Sequence, residues 1–401
     1  MKIAMLQLNF TVGDIEGNAK KILDAYNDAV LDRADMVVST ELALYGYPPG
    51  DMLYLNDKFD EQSRCLLWLK KSVKHVPLVL GVVTKNQKEG MPYKNEVIVL
   101  RENRVEFSQS KFLLPNYDVF DERRYFEPNK ETGPGIYRYM NNHIGFLICE
   151  DIWGSESETS GKSLYGIDPV AAMARIKPDV LICINASPYY AGKGNDRYKL
   201  LQSVVQRVSC PVIYVNQVGG NDELVFDGRS LALSEFGYII ASAPSFEEAI
   251  TMVDLSEYDR LNHYNDNNDQ STLDALVLGL RDYAHKSGFK QAVIGLSGGI
   301  DSALTACIAV EALGKENVFG IAMPSEFSSQ GSIDDAQALA LNLGIDFEIQ
   351  SIAGIYKSYG KELENLFAFN EPGSIEGDNT EENIQARIRG NILMAVSNKS
   401  G

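Results

Sequence analysis

The chain is short of cysteine, histidine and positive charge, and each shortage removes a class of function. Its five cysteines (Cys65, Cys149, Cys183, Cys210 and Cys307) form no CxxC pair, and an odd, scattered set is no disulfide framework. Reduced thiols and a cytoplasmic location are the expectation. Lys and Arg number 37 against 55 Asp and Glu, a net charge of −18, so no surface for nucleic acid is expected. The deficit leaves nucleotide binding open, because a few backbone N–H groups can hold phosphates. No stretch approaches the roughly 18 to 20 apolar residues that cross a bilayer, and the apolar run in residues 1–10 is too short for a secretory signal. No membrane partner is expected. None of the four histidines lies in a catalytic-looking motif.

What is present is the rhythm of two α/β domains in 401 residues. Residues 2–9 alternate as a strand does, and 18–31 read as an amphipathic helix. Short Val- and Ile-rich runs follow at 36–38, 78–83, 97–100, 144–149, 180–184 and 212–215. They are interleaved with helices at about 58–75, 168–176 and 195–209, which predicts a layered α/β domain over 1–255. Residues 256–270 (SEYDRLNHYNDNNDQ) are polar and aperiodic and read as a linker. From 271 to 401 a second pattern runs helix 273–285, strand 292–296, helix 302–313, strand 318–322, helix 331–343 and strand 345–350, the order of a doubly wound parallel sheet. A last helix, 381–396, aligns Ile384, Ile388, Ile392 and Val396. Three strands are few for such a sheet, so this domain is expected to be incomplete.

Residues 295–302, GLSGGIDS, follow a buried strand and open a helix. Glycines there let the backbone approach an anion, and the helix N-terminus points N–H groups at it. Ser297, Gly298, Gly299 and Ser302 are the candidate ATP contacts, and Asp301 the candidate Mg²⁺ ligand. No Lys follows the glycines, so the loop is not of the Walker type. It resembles the SGGxDS loop of ATPases that release pyrophosphate.

In the first domain Cys149 ends the strand HIGFLIC and precedes Glu150 and Asp151. A thiol attacks carbonyls once a base has taken its proton. Glu41, after MVVST, could be that base, and Lys111 could stabilise an oxyanion together with a backbone N–H near Glu150. Singly, Cys149 reads as a small buried hydrophobe, and Glu41 and Lys111 as solvated charges. A Cys–His dyad is the weaker alternative.

In context, Glu41 in ELALYGYPPGD, Lys111 in KFLLPNYDVFDERRYF and Cys149 in ICEDIW resemble the three signature segments of the nitrilase superfamily. Glu122 matches the glutamate which that family keeps beside its lysine. The segments NASPYYAGKGNDR (185–197), VNQVGGNDELVFDGRS (215–230), LSGGIDSALT (296–305), MPSEFSSQGSIDDAQALALNLGI (323–345) and TEENIQARIRGNILMAVSNK (380–399) are similar to the glutamine-dependent NAD synthetases. The resemblance covers nearly the whole chain. It implies a four-layer αββα sandwich joined to an adenine nucleotide alpha hydrolase-like domain. It implies glutamine hydrolysis through a thioester, with Tyr47, Glu150, Ser187 and Lys193 at the glutamine; an arginine can stand in place of Lys193, and loop packing is the alternative for Tyr47 and Ser187. Deamido-NAD⁺ would be adenylated with ATP and Mg²⁺ and then amidated by the released ammonia. A homo-oligomer is implied as well. Family synthetase domains continue beyond the QARIRG helix, so the resemblance also implies a C-terminally truncated domain. Arg387 and Arg389 of that helix lie near the nucleotide or a subunit contact, or are surface charges. A stand-alone amidase with an inactive synthetase remnant is the competing reading, and a nucleotide-responsive interaction protein a third.

Overall fold

A computed structural model describes residues 1–131, 133–153, 165–257, 268–366 and 379–400. Most of the 256–270 linker and part of the acidic stretch 376–382 lie outside these residues. The chain divides into two compact units, Met1–Gly279 and Leu280–Gly401.

The first unit opens with β1 (Lys2–Gln7), α1 (Ile15–Leu31), β2 (Met36–Val38), α2 (Asn56–Ser72), β3 (Leu78–Lys85), β4 (Tyr93–Arg101) and β5 (Arg104–Ser110). A second run follows: β6 (Ile136–Tyr139), β7 (Asn142–Ile148), α3 (Glu150–Trp153), α4 (Pro169–Ile176), β8 (Val180–Asn185), α5 (Lys193–Val208) and β9 (Val212–Asn216). The hairpin β10 (Val218–Asn221) and β11 (Leu224–Asp227), then β12 (Leu231–Leu233), β13 (Ile239–Ser242) and β14 (Ala249–Asp254) complete the strands. They form two six-stranded mixed sheets, ordered β14-β1-β2-β3-β4-β5 and β13-β12-β9-β8-β7-β6.

Strand periodicity explains the layering. In β1, Ile3 and Met5 face the second sheet, whose Phe146, Ile182 and Ile213 meet them in one apolar cluster. Ala4 and Leu6 point the other way, to Ile22 and Tyr26 of α1 and Leu69 of α2. On the second sheet, Leu181, Cys183 and Tyr214 turn outward to Met173 of α4 and Leu201 and Val205 of α5. The result is a four-layer αββα sandwich. Central strands covered on both faces read as unbroken apolar runs, as in the wholly buried VLICIN of β8. Asp14 caps α1 by accepting from the Gly17 N–H at 3.0 Å, and Asp168 caps α4 through Ala171 at 2.9 Å. Each cap contributes about 1 kcal/mol.

The next helix, α6 (Asn268–Lys286), contains the division between the units. Its Ala275 and Leu278 pack with Val218 and Phe246 of the first unit. The second unit is a three-stranded parallel sheet of β15 (Ala292–Gly295), β16 (Val318–Ala322) and β17 (Asp346–Ile349), with α7 (Ile300–Leu313), α8 (Gln330–Leu343), α9 (Ala353–Leu363) and α10 (Thr380–Ser400). The apolar face expected of the last helix is used: Ile384, Ile388 and Ile392 pack with Ile321, Met323, Ile352 and Tyr356. Helix α10 is therefore an integral part of this core. Among the described residues no helix is long and apolar enough to cross a membrane.

Candidate active site

Glu41, Lys111 and Cys149 come from three separate segments that the first sandwich brings together. Glu41 follows β2, and its position is enforced by β3: a side chain on Gly81 would meet the Thr40 oxygen and the Leu42 nitrogen at 2.5 Å. Lys111 follows β5, and its Nζ lies 2.7 Å from Glu41 Oε1 and 2.8 Å from Glu122 Oε1. All three side chains are buried. Cys149 sits between β7 and α3 with φ +43°, a left-handed backbone that costs a non-glycine residue about 1–2 kcal/mol. Such strain at a strand-to-helix turn presents a nucleophile above the sheet edge.

The electrostatics fit a nucleophile stored neutral. Burial, reinforced by Glu41, pushes the Cys149 thiol well above its ordinary value despite Lys111. For Lys111, burial alone favours the amine, but Glu122 and then Glu41 outweigh it and hold the ammonium. Burial also raises Glu122, against the pull of Lys111. One cation among several carboxylates thus keeps its charge while the thiol keeps its proton.

The remaining predicted residues have distinct surroundings. The Tyr47 hydroxyl donates to Glu122 Oε1 at 2.9 Å, so this side chain braces the glutamate beside Lys111. Glu150 accepts from Tyr117 at 2.9 Å and Tyr165 at 3.0 Å, and burial raises its carboxyl. Ser187 is buried, its backbone N–H donating to Asn216 Oδ1 at 2.9 Å. Lys193 opens α5, and its Nζ lies 3.9 Å from the Trp153 ring centroid and 4.7 Å from that of Tyr190. Burial, then the like charge of Arg197, lowers its pKa to about 8. Helix α5 is held by Arg197, which grips Asp227 through two bonds of 2.9 and 2.8 Å.

Sequence reasoning missed Asn95, Tyr117, Trp153, Tyr165 and the backbone clamp of Asp151. Asp151 accepts from Phe112, Leu113 and Ile148 N–H groups at 2.8–3.0 Å. It therefore ties the lysine and cysteine segments together. Tyr117, six residues beyond Lys111 in the same motif, carried the only usable signal.

In the second unit, Ser297, Gly298 and Gly299 turn from β15 into α7. The Ser302 Oγ donates to the Gly299 carbonyl at 3.0 Å and accepts from Ser297 N–H at 3.2 Å. Gly298 has φ +80°, and a Cβ there would lie 2.3 Å from the Ser332 carbonyl of α8, so only glycine fits. A cavity of about 390 Å³ beyond the β15 and β16 carboxyl ends is lined by Ser297, Met323, Ser332 and Arg389, where ligands bind in open α/β sheets. Arg389 donates to the Met323 carbonyl at 3.0 Å, whereas Arg387 bonds its own helix at Asn383. Asp301 is exposed in the first turn of α7. Among the described residues it joins no group of three metal-ligating side chains. A single carboxylate suits Mg²⁺, which takes most of its shell from water and phosphates.

A buried Cys–Glu–Lys centre in an αββα sandwich defines an amidase of the carbon-nitrogen hydrolase class, and that family matches residues 2–261. An amidase from Nesterenkonia shares the fold with TM-score 0.54 at 21% identity, covering 64% of this chain and 90% of its own. The NAD synthase family matches residues 272–401. A glutamine-dependent NAD(+) synthetase of Synechocystis is 43% identical across 100% of this chain and 72% of its own length, and one of Aquifex aeolicus is 38% identical across 100% and 73%. The structure of an Acinetobacter baumannii glutamine-dependent NAD+ synthetase, in complex with ADP, superposes with TM-score 0.90 at 35% identity, covering 100% of this chain and 73% of that one. The chain belongs to the glutamine-dependent NAD(+) synthetase family.

Proposed function

We propose that Cys149, Glu41 and Lys111 carry out the glutamine hydrolysis of this glutamine-hydrolysing NAD⁺ synthase. The observation that supports it most is the buried Lys111 ammonium held between Glu41 and Glu122 beside a strained cysteine. Glu41 takes the Cys149 proton as Sγ attacks the glutamine carboxamide carbon. Lys111 has three N–H donors; one serves Glu41 Oε1, one is shared by the two oxygens of Glu122 at 2.8 and 3.0 Å, and the third serves the oxyanion. The N–H of Glu150, at the first position of α3, has no partner within that helix and is the second donor. The proton on Glu41 then passes to the leaving ammonia, which leaves a thioester. Water, deprotonated by Glu41, cleaves it to glutamate and the free thiol.

On this reading Tyr47, Glu150, Ser187 and Lys193 contact the bound glutamine, and Tyr47 also braces Glu122. In the second unit Ser297, Gly298, Gly299 and Ser302 bind the ATP phosphates, with Asp301 holding Mg²⁺, which would neutralise phosphate charge. The deamido-NAD⁺ carboxylate becomes an adenylate with loss of pyrophosphate, and ammonia displaces AMP. The functional boundary on this reading is 256–270, which overlaps the interval 262–271 between the two family matches. A cytoplasmic homo-oligomer completes this reading. Replacing Cys149 with Ala is expected to lower glutamate release at least about 10⁴-fold. Asp301→Ala is expected to abolish ATP conversion and leave glutamate release. Undiminished turnover in the first variant, or loss of both activities in the second, would overturn the assignment.

A further inference from the structure

The two carboxylate oxygens of Glu41 have different partners. Oε1 accepts from Lys111 Nζ at 2.7 Å and from Asn95 Nδ2 at 2.7 Å. Oε2 accepts a single bond, from the Ala186 N–H at 3.1 Å. A carboxylate oxygen offers about two lone-pair positions, so Oε1 is filled and Oε2 has one position left. Asn95 lies in β4 and is buried, 1% exposed. Its own backbone carbonyl accepts the Lys111 N–H at 2.8 Å. One residue therefore holds the base through its side chain and the lysine through its main chain.

We propose that Asn95 is a positioning residue of the amidase: with Lys111 it fills Oε1 of Glu41 and commits Oε2 to the Cys149 proton. The carboxamide orientation follows from chemistry. Only the Nδ2 end can donate to a carboxylate; the opposite assignment would set two oxygens together. The Oδ1 end is buried without a partner among the described residues. Burying an acceptor unpaired costs free energy, whereas a donor aimed at a carboxylate favours its charged form.

This inference rests on Glu41 acting as the base, and the experiment separates the two. Steady-state glutamine hydrolysis, followed as glutamate release from pH 5 to 9, is compared in the full chain and in N95A, N95D and N95S. A bond to a charged group is worth about 1.5–3 kcal/mol. Its loss in N95A is therefore expected to lower kcat about 10- to 100-fold and to move the acid limb of the kcat profile up by about one to two pH units. KM for glutamine should stay within about threefold, since Asn95 contacts the base and not the substrate. N95D keeps the shape and replaces the donor with a second carboxylate, so it should be slower still at neutral pH. N95S retains a donor and should recover part of the rate. Should N95A fold poorly, the isosteric N95D and the small N95S carry the comparison. An acid limb that stays in place in every folded variant would overturn the proposal, as would a loss of rate that tracks only the folded fraction. A Cys149→Ala variant that still turns over glutamine would instead overturn the assignment of the site itself.

Discussion

At the scale of single residues the site depends on charges kept in unusual states. Lys193 is one whose state changes within an accessible pH range. Burial and Arg197 bring its pKa to about 8, so its ammonium is present below that pH and lost above it. If it meets the glutamine carboxylate, KM for glutamine should be flat to about pH 8 and then rise about tenfold per unit, following the protonated fraction. Lys193→Arg keeps the charge and should abolish the rise. A flat wild-type profile to pH 9.5 would remove Lys193 from the glutamine site. The three residues proposed to react were legible as candidates in the sequence because each sits in a distinctive motif. Asn95 was not: its partner Glu41 is 54 positions away, and in a strand such as YKNEVIVLR an Asn carries no mark of what it touches. The sequence marks Tyr47 as a glutamine contact and Glu122 as the glutamate beside the lysine, but not the bond between them.

At the scale of elements, the placement of Glu41 comes from backbone packed on backbone. Gly81 in β3 lies so close to Thr40–Leu42 that a methyl group would need one strand to move. Gly81→Ala is therefore expected to lower glutamine hydrolysis about tenfold or more and to destabilise the first unit by about 1–3 kcal/mol, as overpacking does. Glutamate release and urea unfolding measure the two effects. Full activity in this variant would mean that Glu41 tolerates displacement. The central strands were legible because burial on both faces leaves an unbroken run, as in β8 and β9. The edge and hairpin strands were not. β5 (RVEFSQS) and β6 (IYRY) have weak alternation, and VGGN of β10 reads as a turn. Helix α9, AGIYKSYGKEL, was missed because two glycines interrupt a short pattern; Tyr356 fixes it to the core.

At the scale of the whole molecule, the chain pairs an ammonia-releasing unit with an ammonia-consuming one, and the pairing was legible because both carry motifs in collinear order. What the sequence did not convey is where the compact units divide. The polar linker marks a family-level break before residue 271, and the compact units divide later, at Gly279, because Ala275 and Leu278 pack with Val218 and Phe246. A periodic helix does not announce which partner covers its apolar face. The most direct test measures NAD⁺ formation from deamido-NAD⁺ and Mg²⁺-ATP with glutamine or ammonium, in the wild-type chain and in Cys149→Ala. The account expects the wild type to use both nitrogen sources and the variant to use ammonium alone. Glutamine-dependent synthesis surviving in the variant would contradict the account of the amidase, and glutamate release with no NAD⁺ from either source would contradict the coupling of the two units.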